Sequence, residues 1–467
     1  MINLKGSGEM KREEYVLRHF REQEDYMNER IKSGIEENRK GFGTVYVKDK
    51  NANPIKNANI KFVQKDHEFK YGANLFMLDE FNKAEQNEKY KKLFADAFNM
   101  ATLPFYWNDL EPEKGKPRYD KNSCKVYRRP TPELCLEYCE NNNITPKAHC
   151  LVYDPWTPEW LADKDVYEIK YYYEKRMSEL AERFKGRING WEVINETLCN
   201  SGRTALWDTE DMVEWSFDTA RKYFDSNELI INEAAHVWSK LFMGNRSPYY
   251  MQIERALRSG HKIDAIGMQY HMFNRLEDEK KETDYLYNPE NVYMVLDRYA
   301  DFKLPMQITE ITISNFSYDQ IDEDIQAEVV KNLYSMWFSH SSMEAVIYWN
   351  LVDGFAAFAP QGDMKAGENY FHGGLIRYDF TPKPAYYVIK DLFEKQWHTE
   401  GETRTNEYGS AIFKGFYGNY DIEVTVNGKT TKHEFNLSGK QKKSWRYGGE
   451  YGQSVFKKKN SIEVIVD

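Results

Sequence analysis

Short apolar runs alternate with longer amphipathic stretches from about residue 69 onward, and this alternation constrains the fold more than any other feature of the sequence. Apolar runs bounded by turn residues predict strands. They occur at Phe69–Asn74, Ala97–Leu103, Ile144–Val152, Ile188–Asn195, Glu228–Glu233, Ile263–His271, Pro305–Ile311 and Ala345–Leu351. Helical periodicity between them covers Val166–Phe184, Glu210–Phe224, Asn291–Phe302 and Ile325–Ser339. Eight strands, each followed by a helix over roughly 330 residues, are typical of an α/β fold, the (β/α)8 TIM barrel.

The segments on both sides of this region have different patterns. Residues 1–40 are highly charged, with apolar residues mostly at helical spacing, which predicts one N-terminal helix. Short alternating strands around turn residues are expected in an N-terminal β segment, 41–68, and in a C-terminal β domain, 399–467. We expect the catalytic barrel to cover 69–398. We also expect the two β segments to form one accessory β-sandwich with a structural rather than a sugar-binding role.

Charge and hydropathy exclude several classes of partner. The 467 residues carry a formal net charge of −10, which argues against nucleic acid or an anionic membrane surface as the main partner. No run of about 18 apolar residues occurs, so no membrane span is expected. The N-terminus has no signal-peptide pattern, which predicts a cytoplasmic protein, although a secreted chain with its signal removed would look the same. The oligomeric state is left open.

The cysteines do not form a recognisable framework. They are odd in number, lack a C-x-x-C pair and are spread over Cys124, Cys135, Cys139, Cys150 and Cys199. This pattern argues against both a disulfide scaffold and a zinc knuckle. Buried thiols are the expected interpretation for the pair four residues apart, Cys135 and Cys139.

Two glutamates at predicted strand ends are the strongest candidates for chemistry. Glu196 closes Trp191–Glu196 after the fourth strand, and Glu310 closes Gln307–Glu310 in the seventh. The carboxyl ends of barrel strands carry the active site in this fold, and these two ends face each other across the barrel mouth. Two carboxylates about 5–5.5 Å apart suit retaining glycoside hydrolysis, in which one attacks the sugar and the other protonates the leaving oxygen.

These segments resemble glycoside hydrolase family 10, the xylanase-type barrels. Trp191–Glu196 resembles the W-[DE]-V-[VI]-N-E signature of the acid/base residue, and Gln307–Ile311 resembles the nucleophile segment [IV]-T-E-[LI]. Further matches, in the same order as in the family, are Tyr71–Ala73, Glu111-Pro112 with Gly115, Ala148–Tyr153 (G-H-T-L-V-W), Ile266–His271 (G-[IL]-Q-x-H) and Lys383–Tyr386 (K-P-A-Y). The resemblance extends through much of residues 71–398.

The resemblance implies a role for each matched residue. Glu196 would be the acid/base and Glu310 the nucleophile, with no metal and no cofactor. Asn195 would hydrogen-bond the sugar 2-hydroxyl, a contact that strengthens in the transition state. His271 would keep Glu310 ionised and oriented. The remaining implied substrate contacts are Gln269 and His149, which would line the reacting subsite, and Trp349, which would form its aromatic floor.

The departures from the family pattern concern substrate recognition. Where the family has E-N-x-x-K-W after its second strand, this chain has Thr102–Asp109, in which Phe105, Tyr106 and Trp107 take the place of polar groups. The third-strand W-H-x-Q becomes Tyr153–Trp156, and the eighth-strand W-G becomes Trp349-Asn350. We expect Trp107, Tyr153 and Trp156 to bind substrate, with Asp154 a weaker candidate. Because lost hydroxyl partners change selectivity strongly, an oligosaccharide or small glycoside is a better expectation than polymeric xylan.

Two alternative functions remain open at the level of sequence. Glu196, Glu310, His149 and His271 could ligate a divalent cation, as in a metal-dependent sugar isomerase on the same barrel. A non-catalytic sugar-binding barrel is the other alternative, and the presence of both carboxylates argues against it. No glycine-rich phosphate loop and no convincing Ser-His-Asp or Cys-His arrangement is present in the sequence.

Overall fold

The structure is a computed structural model that describes residues 11–198, 201–239, 246–439 and 460–466. The chain divides into two compact units. The first comprises the N-terminal residues through Met27 together with 71–337 and 342–389. The second comprises 28–70, 338–341 and the chain from Lys390 onward.

The described part of the chain contains fifteen strands and thirteen α-helices. The strands are β1 Lys40–Lys48, β2 Asn59–Gln64, β3 Lys70–Asn74, β4 Met100–Pro104, β5 Thr145–Val152, β6 Gly190–Asn195, β7 Glu228–Glu233, β8 Ala265–His271, β9 Met306–Thr312, β10 Met343–Tyr348, β11 Glu400–Arg404, β12 Ser410–Phe416, β13 Gly418–Val426, β14 Lys429–Leu437 and β15 Ser461–Ile465. The helices are α1 Arg12–Val16, α2 Arg18–Glu22, α3 Glu24–Asn38, α4 Ala84–Ala97, α5 Trp107–Leu110, α6 Pro132–Asn141, α7 Val166–Phe184, α8 Met212–Tyr223, α9 Pro248–Arg258, α10 Leu276–Leu286, α11 Pro289–Ala300, α12 Gln320–Ser339 and α13 Pro384–Asp391.

Strands β3 to β10 close into one barrel in sequence order, so the predicted (β/α)8 fold is confirmed. Neighbouring strands are parallel, and β6 and β9 are buried along their whole length, as expected of strands that are covered on both faces. The predicted start of the second barrel strand was wrong. The expected second strand began at Ala97, but Ala97 ends α4, and the Phe98 N–H donates to the Phe94 carbonyl. A short apolar run does not distinguish a buried helix end from a strand.

Side-chain capping determines where two of the helices begin. The Asp165 side chain accepts hydrogen bonds from the Tyr167 and Glu168 backbone N–H groups, both at 2.9 Å, and α7 begins directly after it. Ser247 caps α9 in the same way, ahead of a proline at the first helical position. Capping side chains satisfy N–H groups that have no partner inside the helix, so they define where a helix can begin.

The second unit is built from strands of both chain ends. β1 pairs antiparallel with β12 and parallel with β15, while β2 lies between β11 and β13. One apolar cluster contains residues of both sheets, including Val45, Ile60, Phe62, Ile422 and Val464. The expected β sheets outside the barrel, with N- and C-terminal strands combined, are therefore confirmed. The four segment boundaries assigned from the sequence remain predictions.

The N-terminal segment differs from the single helix expected. It forms α1, α2 and α3, with interruptions at Leu17 and Gln23, whose backbone angles are φ −90°, ψ 0° and φ −113°, ψ 24°. Apolar spacing is nearly the same across such short breaks as along a continuous helix, so the sequence pattern did not reveal them. Arg12 of α1 forms ion pairs with Glu279 and Asp322.

Two further expectations can be compared with the described residues. None of the helices among them is both long enough and apolar enough to cross a membrane. Cys135, Cys139 and Cys150 are buried free thiols and Cys124 is an exposed one. Cys199 lies outside the described residues.

A buried ion pair lies inside the barrel. The Lys147 ammonium on β5 contacts the Glu192 carboxylate on β6, and both side chains are completely buried. Nδ1 of His149 contacts the other oxygen of that carboxylate. Burial disfavours the charged form of Glu192, but the cationic Lys147 and His149 outweigh it and lower the pKa of Glu192 to about 2. The barrel interior therefore holds fixed charges that depend on one another.

Removing one partner of this ion pair is expected to destabilise the protein strongly. Lys147→Met leaves the Glu192 charge buried without its nearest cation, which costs about 3–5 kcal/mol of unfolding free energy. Urea unfolding of the purified variant measures this cost. Lys116→Met, which removes an ammonium from the exposed pair with Glu113, is the matched control and should leave stability nearly unchanged. Equal effects of the two substitutions would contradict the importance assigned to the buried pair.

Candidate active site

A cavity of about 540 Å³ lies among the loops that follow the barrel strands. Its lining includes both glutamates singled out by the sequence, Glu196 and Glu310. The parallel strands direct their carboxyl ends to one mouth of the barrel, which is why residues far apart in the chain meet here. The cavity is therefore the candidate active site.

The amide of Gln269 joins the two carboxylates. Its Nε2 donates to Oε1 of Glu196 at 2.8 Å and to Oε1 of Glu310 at 3.0 Å. Because both oxygens hydrogen-bond the same nitrogen, they lie within about 6 Å of each other. Glu310 belongs to β9, Gln269 to β8, and Glu196 directly follows β6. The closed barrel thus brings the two carboxylates together.

The backbone at Glu196 is in the left-handed region, with φ 54°. Non-glycine residues with this geometry are uncommon and often occur at functional sites. The Tyr153 hydroxyl donates to Oε2 of Glu196 at 2.5 Å. Beyond Glu196, the backbone N–H groups of Thr197 and Leu198 donate to Oε2 of Glu233, at 2.9 and 3.2 Å. Glu233 therefore anchors the turn that presents the Glu196 carboxylate.

Glu310 is held by three donors. Asn232 Nδ2 lies 3.2 Å from Oε1, in addition to the Gln269 amide, and His271 Nε2 lies 3.1 Å from Oε2. Burial lowers the pKa of His271 to about 4, so the ring is neutral near pH 7. His271 consequently orients Glu310 as a hydrogen-bond donor, with Thr312 Oγ1 2.9 Å from its other ring nitrogen.

The protonation of Glu310 depends on nearby charges. Burial raises its pKa to about 8. The neighbouring carboxylates Glu196 and Glu192 reinforce this rise, whereas His149 opposes it. Two carboxylates this close are not readily ionised together, so the pair retains a proton. This is the electrostatic arrangement expected when one carboxyl is to act as an acid and the other as an anion.

His149 and Asn195 complete the polar floor. Burial disfavours the charge on His149, but Glu192 more than compensates and raises the His149 pKa above its ordinary value. Its Nδ1 lies 4.0 Å from Glu310 Oε1, and its Nε2 lies 3.0 Å from the Tyr106 hydroxyl. Asn195 Oδ1 accepts a hydrogen bond from Asn232 Nδ2 at 2.8 Å, which fixes the amide against the cavity.

Aromatic rings form the cavity walls. Trp349 packs against Phe76, with ring centroids 5.0 Å apart, and lines the cavity. Tyr153 and Trp156 stack face to face at 5.2 Å with an interplanar angle of 7° and also line it. Tyr106 joins the same lining. Flat apolar ring faces of this kind complement the C–H faces of sugars.

Some of the residues expected at the site lie elsewhere. The Trp107 ring packs on Tyr173 at 4.6 Å and its Nε1 donates to Glu111, so Trp107 does not line the cavity. Phe105 is fully buried, against Trp191. Asp154 is also buried, and its carboxylate accepts hydrogen bonds from the loop at residues 203–204. Strand β4 ends just before these aromatics, so consecutive side chains point in different directions.

The cavity also contains charged groups that the sequence reasoning did not identify. Arg128, Arg129 and Glu368 line it. The two arginines lie in the connection between α5 and α6, and Glu368 lies beyond β10. None of the three directly follows a strand end. The search for polar residues at the ends of predicted strands, which identified the glutamates, therefore did not identify them. Clustered arginines in a connection of about twenty residues would have been the available signal.

The site does not suit a metal ion. Among the described residues, donor atoms of His149, Glu192 and Glu310 lie within 4.8 Å of one another. The Glu192 carboxylate is already occupied by the Lys147 ammonium and by Nδ1 of His149, the nitrogen that faces Glu310. A divalent cation would have to displace the buried Lys147 ammonium and the His149 ring from the Glu192 carboxylate.

Two carboxylates that share a hydrogen-bond donor at the mouth of a barrel, with aromatic residues around them, are typical of TIM-barrel glycoside hydrolases. The model of Glycosyl hydrolase family 10 matches residues 65–392, and the chain belongs to this family. Among curated relatives, it is 26% identical over 427 residues to the anti-sigma-I factor RsgI6 of Acetivibrio thermocellus, covering 89% of this chain and 48% of that protein. It is 24% identical over 324 residues to endo-1,4-beta-xylanase B of Thermotoga neapolitana, covering 66% of this chain and 84% of that protein. The chain thus spans about half the length of the first relative.

Solved structures show the same fold. Xylanase 10B from Thermotoga petrophila, solved in complex with xylobiose, superposes with a TM-score of 0.55 at 21% identity, covering 70% of this chain and 95% of that one. The intracellular xylanase of Thermoanaerobacterium saccharolyticum, solved as a point mutant in complex with xylotetraose, has a TM-score of 0.54 at 19% identity, covering 69% of this chain and 95% of that one. At this identity the likeness concerns the fold alone.

The raised pKa of Glu310 predicts that stability falls with rising pH. An unfolded glutamate loses its proton near pH 4.5 and the folded Glu310 near pH 8, so the folded state binds the additional proton between these values. Stability contributed by this proton is lost as pH rises through that window. Glu310→Gln removes the titration, so its melting temperature relative to wild type should increase from pH 4.5 to pH 8.

Differential scanning fluorimetry across this range measures the effect. Glu113→Gln is the control, because Lys116 lowers the pKa of this exposed glutamate and it does not titrate in the same window. A melting-temperature difference for Glu310→Gln that is the same at both ends of the range would contradict the assignment.

Proposed function

We propose that the chain is a retaining glycoside hydrolase that cleaves β-glycosidic bonds of plant-type oligosaccharides or small glycosides, without metal or cofactor. The observation that carries this proposal is the Gln269 amide, whose nitrogen donates to one oxygen of each catalytic carboxylate. These two oxygens therefore lie within about 6 Å of each other. Retaining enzymes have carboxyl groups about 5–5.5 Å apart, whereas inverting enzymes need about 6.5–9.5 Å to admit a water molecule. The short spacing therefore supports direct attack by one carboxylate.

In the first step, the proton shared by the pair lies on Glu196, so that the Glu310 carboxylate attacks the anomeric carbon while Glu196 gives this proton to the departing glycosidic oxygen. The bond to the leaving group breaks as the bond to Glu310 forms. In the second step, Glu196 removes a proton from water, which attacks the same carbon and releases Glu310. Donors from Asn232, Gln269 and His271 stabilise the charge on Glu310 before attack and after release.

Substrate selection is proposed to depart from that of polymer-degrading xylanases. The resemblance implies a glutamate, an asparagine and a lysine beside the reacting subsite, and Tyr106 stands among the residues that take their place. The Tyr106 hydroxyl hydrogen-bonds His149, so this wall is part of the catalytic network. Short oligosaccharides or glycosides suit such a closed aromatic wall. We propose cytoplasmic action on imported substrates, and the Thermoanaerobacterium xylanase is described as an intracellular enzyme.

The two carboxylates are expected to have separable effects. Glu310→Ala should lower turnover by several orders of magnitude on every substrate, since no covalent intermediate can form. Glu196→Ala should lose most activity on natural oligosaccharides but retain more on aryl glycosides, whose leaving groups need no proton. Azide should restore turnover of Glu196→Ala and give a β-glycosyl azide.

A panel of aryl xyloside, glucoside, arabinoside, fucoside and galactoside, followed by natural oligosaccharides, supplies the substrates. Proton NMR of the first-formed sugar from wild type should show the β anomer. An α anomer would exclude the retaining mechanism. Near-wild-type hydrolysis by Glu310→Ala would overturn the proposed function. Loss of activity with a chelator would instead favour the isomerase alternative.

The Tyr153 hydroxyl is expected to support Glu196. Tyr153→Phe removes the donor to Glu196 Oε2 but keeps the stacked ring on Trp156. The variant should lose about 10- to 100-fold in kcat/KM on oligosaccharides, because proton donation is misaligned, and much less on nitrophenyl glycosides, which need little acid assistance. Trp156→Phe, a change in the stacking partner, is the control and should affect both substrates alike. A Tyr153→Phe effect that does not depend on the leaving group would argue against this role.

A further inference from the structure

Two consecutive arginines form one wall of the catalytic cavity. Arg128 and Arg129 lie in the connection between α5 and α6 and both line the cavity. They differ in how their charges are balanced. Arg129 donates from Nε to the Asp109 carboxylate at 2.6 Å, and its guanidinium lies 4.2 Å from the centre of the Tyr106 ring. Arg129 is therefore neutralised within the protein.

Arg128 has no such counterion. It is 6% exposed, with Nη2 donating to Asn350 Oδ1 at 2.9 Å and Nη1 donating to the Phe355 carbonyl. Both acceptors are uncharged. Within the part of the chain that the structure describes, no carboxylate lies close enough to Arg128 to form an ion pair of the kind that Arg129 makes. Burial accordingly lowers the pKa of Arg128 from its ordinary value, although Glu368 opposes this. A buried cation without a direct partner is costly.

The surroundings of Arg128 are organised around this charge. Asn350 accepts from Arg128 through its oxygen and donates through Nδ2 to Glu368 Oε2 at 2.7 Å, so the amide separates the two charges. Asn350 stands at a position where the family pattern has glycine. The Arg128 backbone has φ 63°, a left-handed geometry that is unusual for this residue type. A guanidinium has five N–H donors, and the hydrogen bonds to described residues use two.

We propose that Arg128 binds a sugar carboxylate, so that the substrate of the catalytic cavity carries a uronic acid. This inference rests on the proposed glycosidase function and names the substrate class of the same site. A guanidinium recognises a carboxylate through two parallel hydrogen bonds and charge, whereas neutral hydroxyl groups would not offset the cost of burying it. Arg129 beside it is paired with Asp109, so of the two arginines it is Arg128 that lacks an ion-pair partner among the described residues.

The carboxylate can belong to the reacting sugar or to a neighbouring one, and the two arms of the experiment distinguish these sources. In the first arm, kcat/KM is measured for nitrophenyl β-glucuronide and β-galacturonide against the matched glucoside and galactoside. In the second arm, glucuronic acid-decorated xylo-oligosaccharides are compared with undecorated ones. The kcat/KM for the preferred acidic substrate should exceed that for its neutral counterpart by about 10- to 100-fold. Arg128→Met should lower kcat/KM for the acidic substrates by about 10- to 100-fold more than for the neutral ones and so abolish that preference.

Lys125→Met is the matched control, because it removes an exposed cation from the same connection and should preserve the preference. Arg128→Lys keeps the positive charge but loses the planar guanidinium that can donate two parallel hydrogen bonds. This variant should retain part of the preference for acidic substrates. A further test uses wild type alone. Glucuronate or galacturonate should inhibit hydrolysis competitively with a lower inhibition constant than the corresponding neutral sugar. No preference for acidic sugars in either arm or in inhibition would overturn the proposal, as would equal losses in Arg128→Met on acidic and neutral substrates.

Failure of the uronate proposal is distinguishable from failure of the glycosidase proposal. If wild type hydrolyses neutral glycosides through Glu310 without an acidic preference, only the role of Arg128 is wrong. If Glu310→Ala hydrolyses the substrates as wild type does, the proposed mechanism itself is wrong.

Discussion

The candidate active site depends on electrostatic repulsion among buried carboxylates and on the groups that offset it. Glu192, Glu196 and Glu310 converge inside or at the mouth of one barrel. Glu192 remains ionised because Lys147 and His149 contact it directly. Its charge, with that of Glu196, then favours the protonated form of Glu310. The pair thus holds one proton between two groups, and the proposed double displacement requires that proton to lie on Glu196 when the substrate is bound.

Neutral amides link these charges without cancelling them. Asn232 Nδ2 lies 2.8 Å from Asn195, 3.2 Å from Glu310 and 3.3 Å from Glu192, while its Oδ1 accepts from Thr309. Gln269 links the carboxylates of Glu196 and Glu310 in the same way. Such a network specifies side-chain positions because each member loses its partners when a neighbour moves.

Features that depend on interactions between residues close in the chain were predicted more accurately than features that depend on distant residues. Helical periodicity predicted α7 with the bounds that the structure has, and the short apolar run Glu228–Glu233 matched β7. The breaks at Leu17 and Gln23 were missed because apolar spacing continues across them. At the site, Glu196 and Glu310 were identifiable because strand ends in this fold meet at one mouth. Arg128 was not, because its position depends on the path of an irregular connection.

The sequence by itself determined the repeated strand–helix pattern and the positions of two glutamates within it, since both depend on periodicity and on short motifs. The tertiary structure decided which neighbours those glutamates have. Only the closed barrel brings the Gln269 amide between the two glutamates and the Lys147 ammonium onto Glu192. Only tertiary packing places Tyr106 in the cavity lining and the adjacent Trp107 against Tyr173. These relations depend on contacts between residues distant in the chain. Burial then sets the charges of the groups that those contacts bring together.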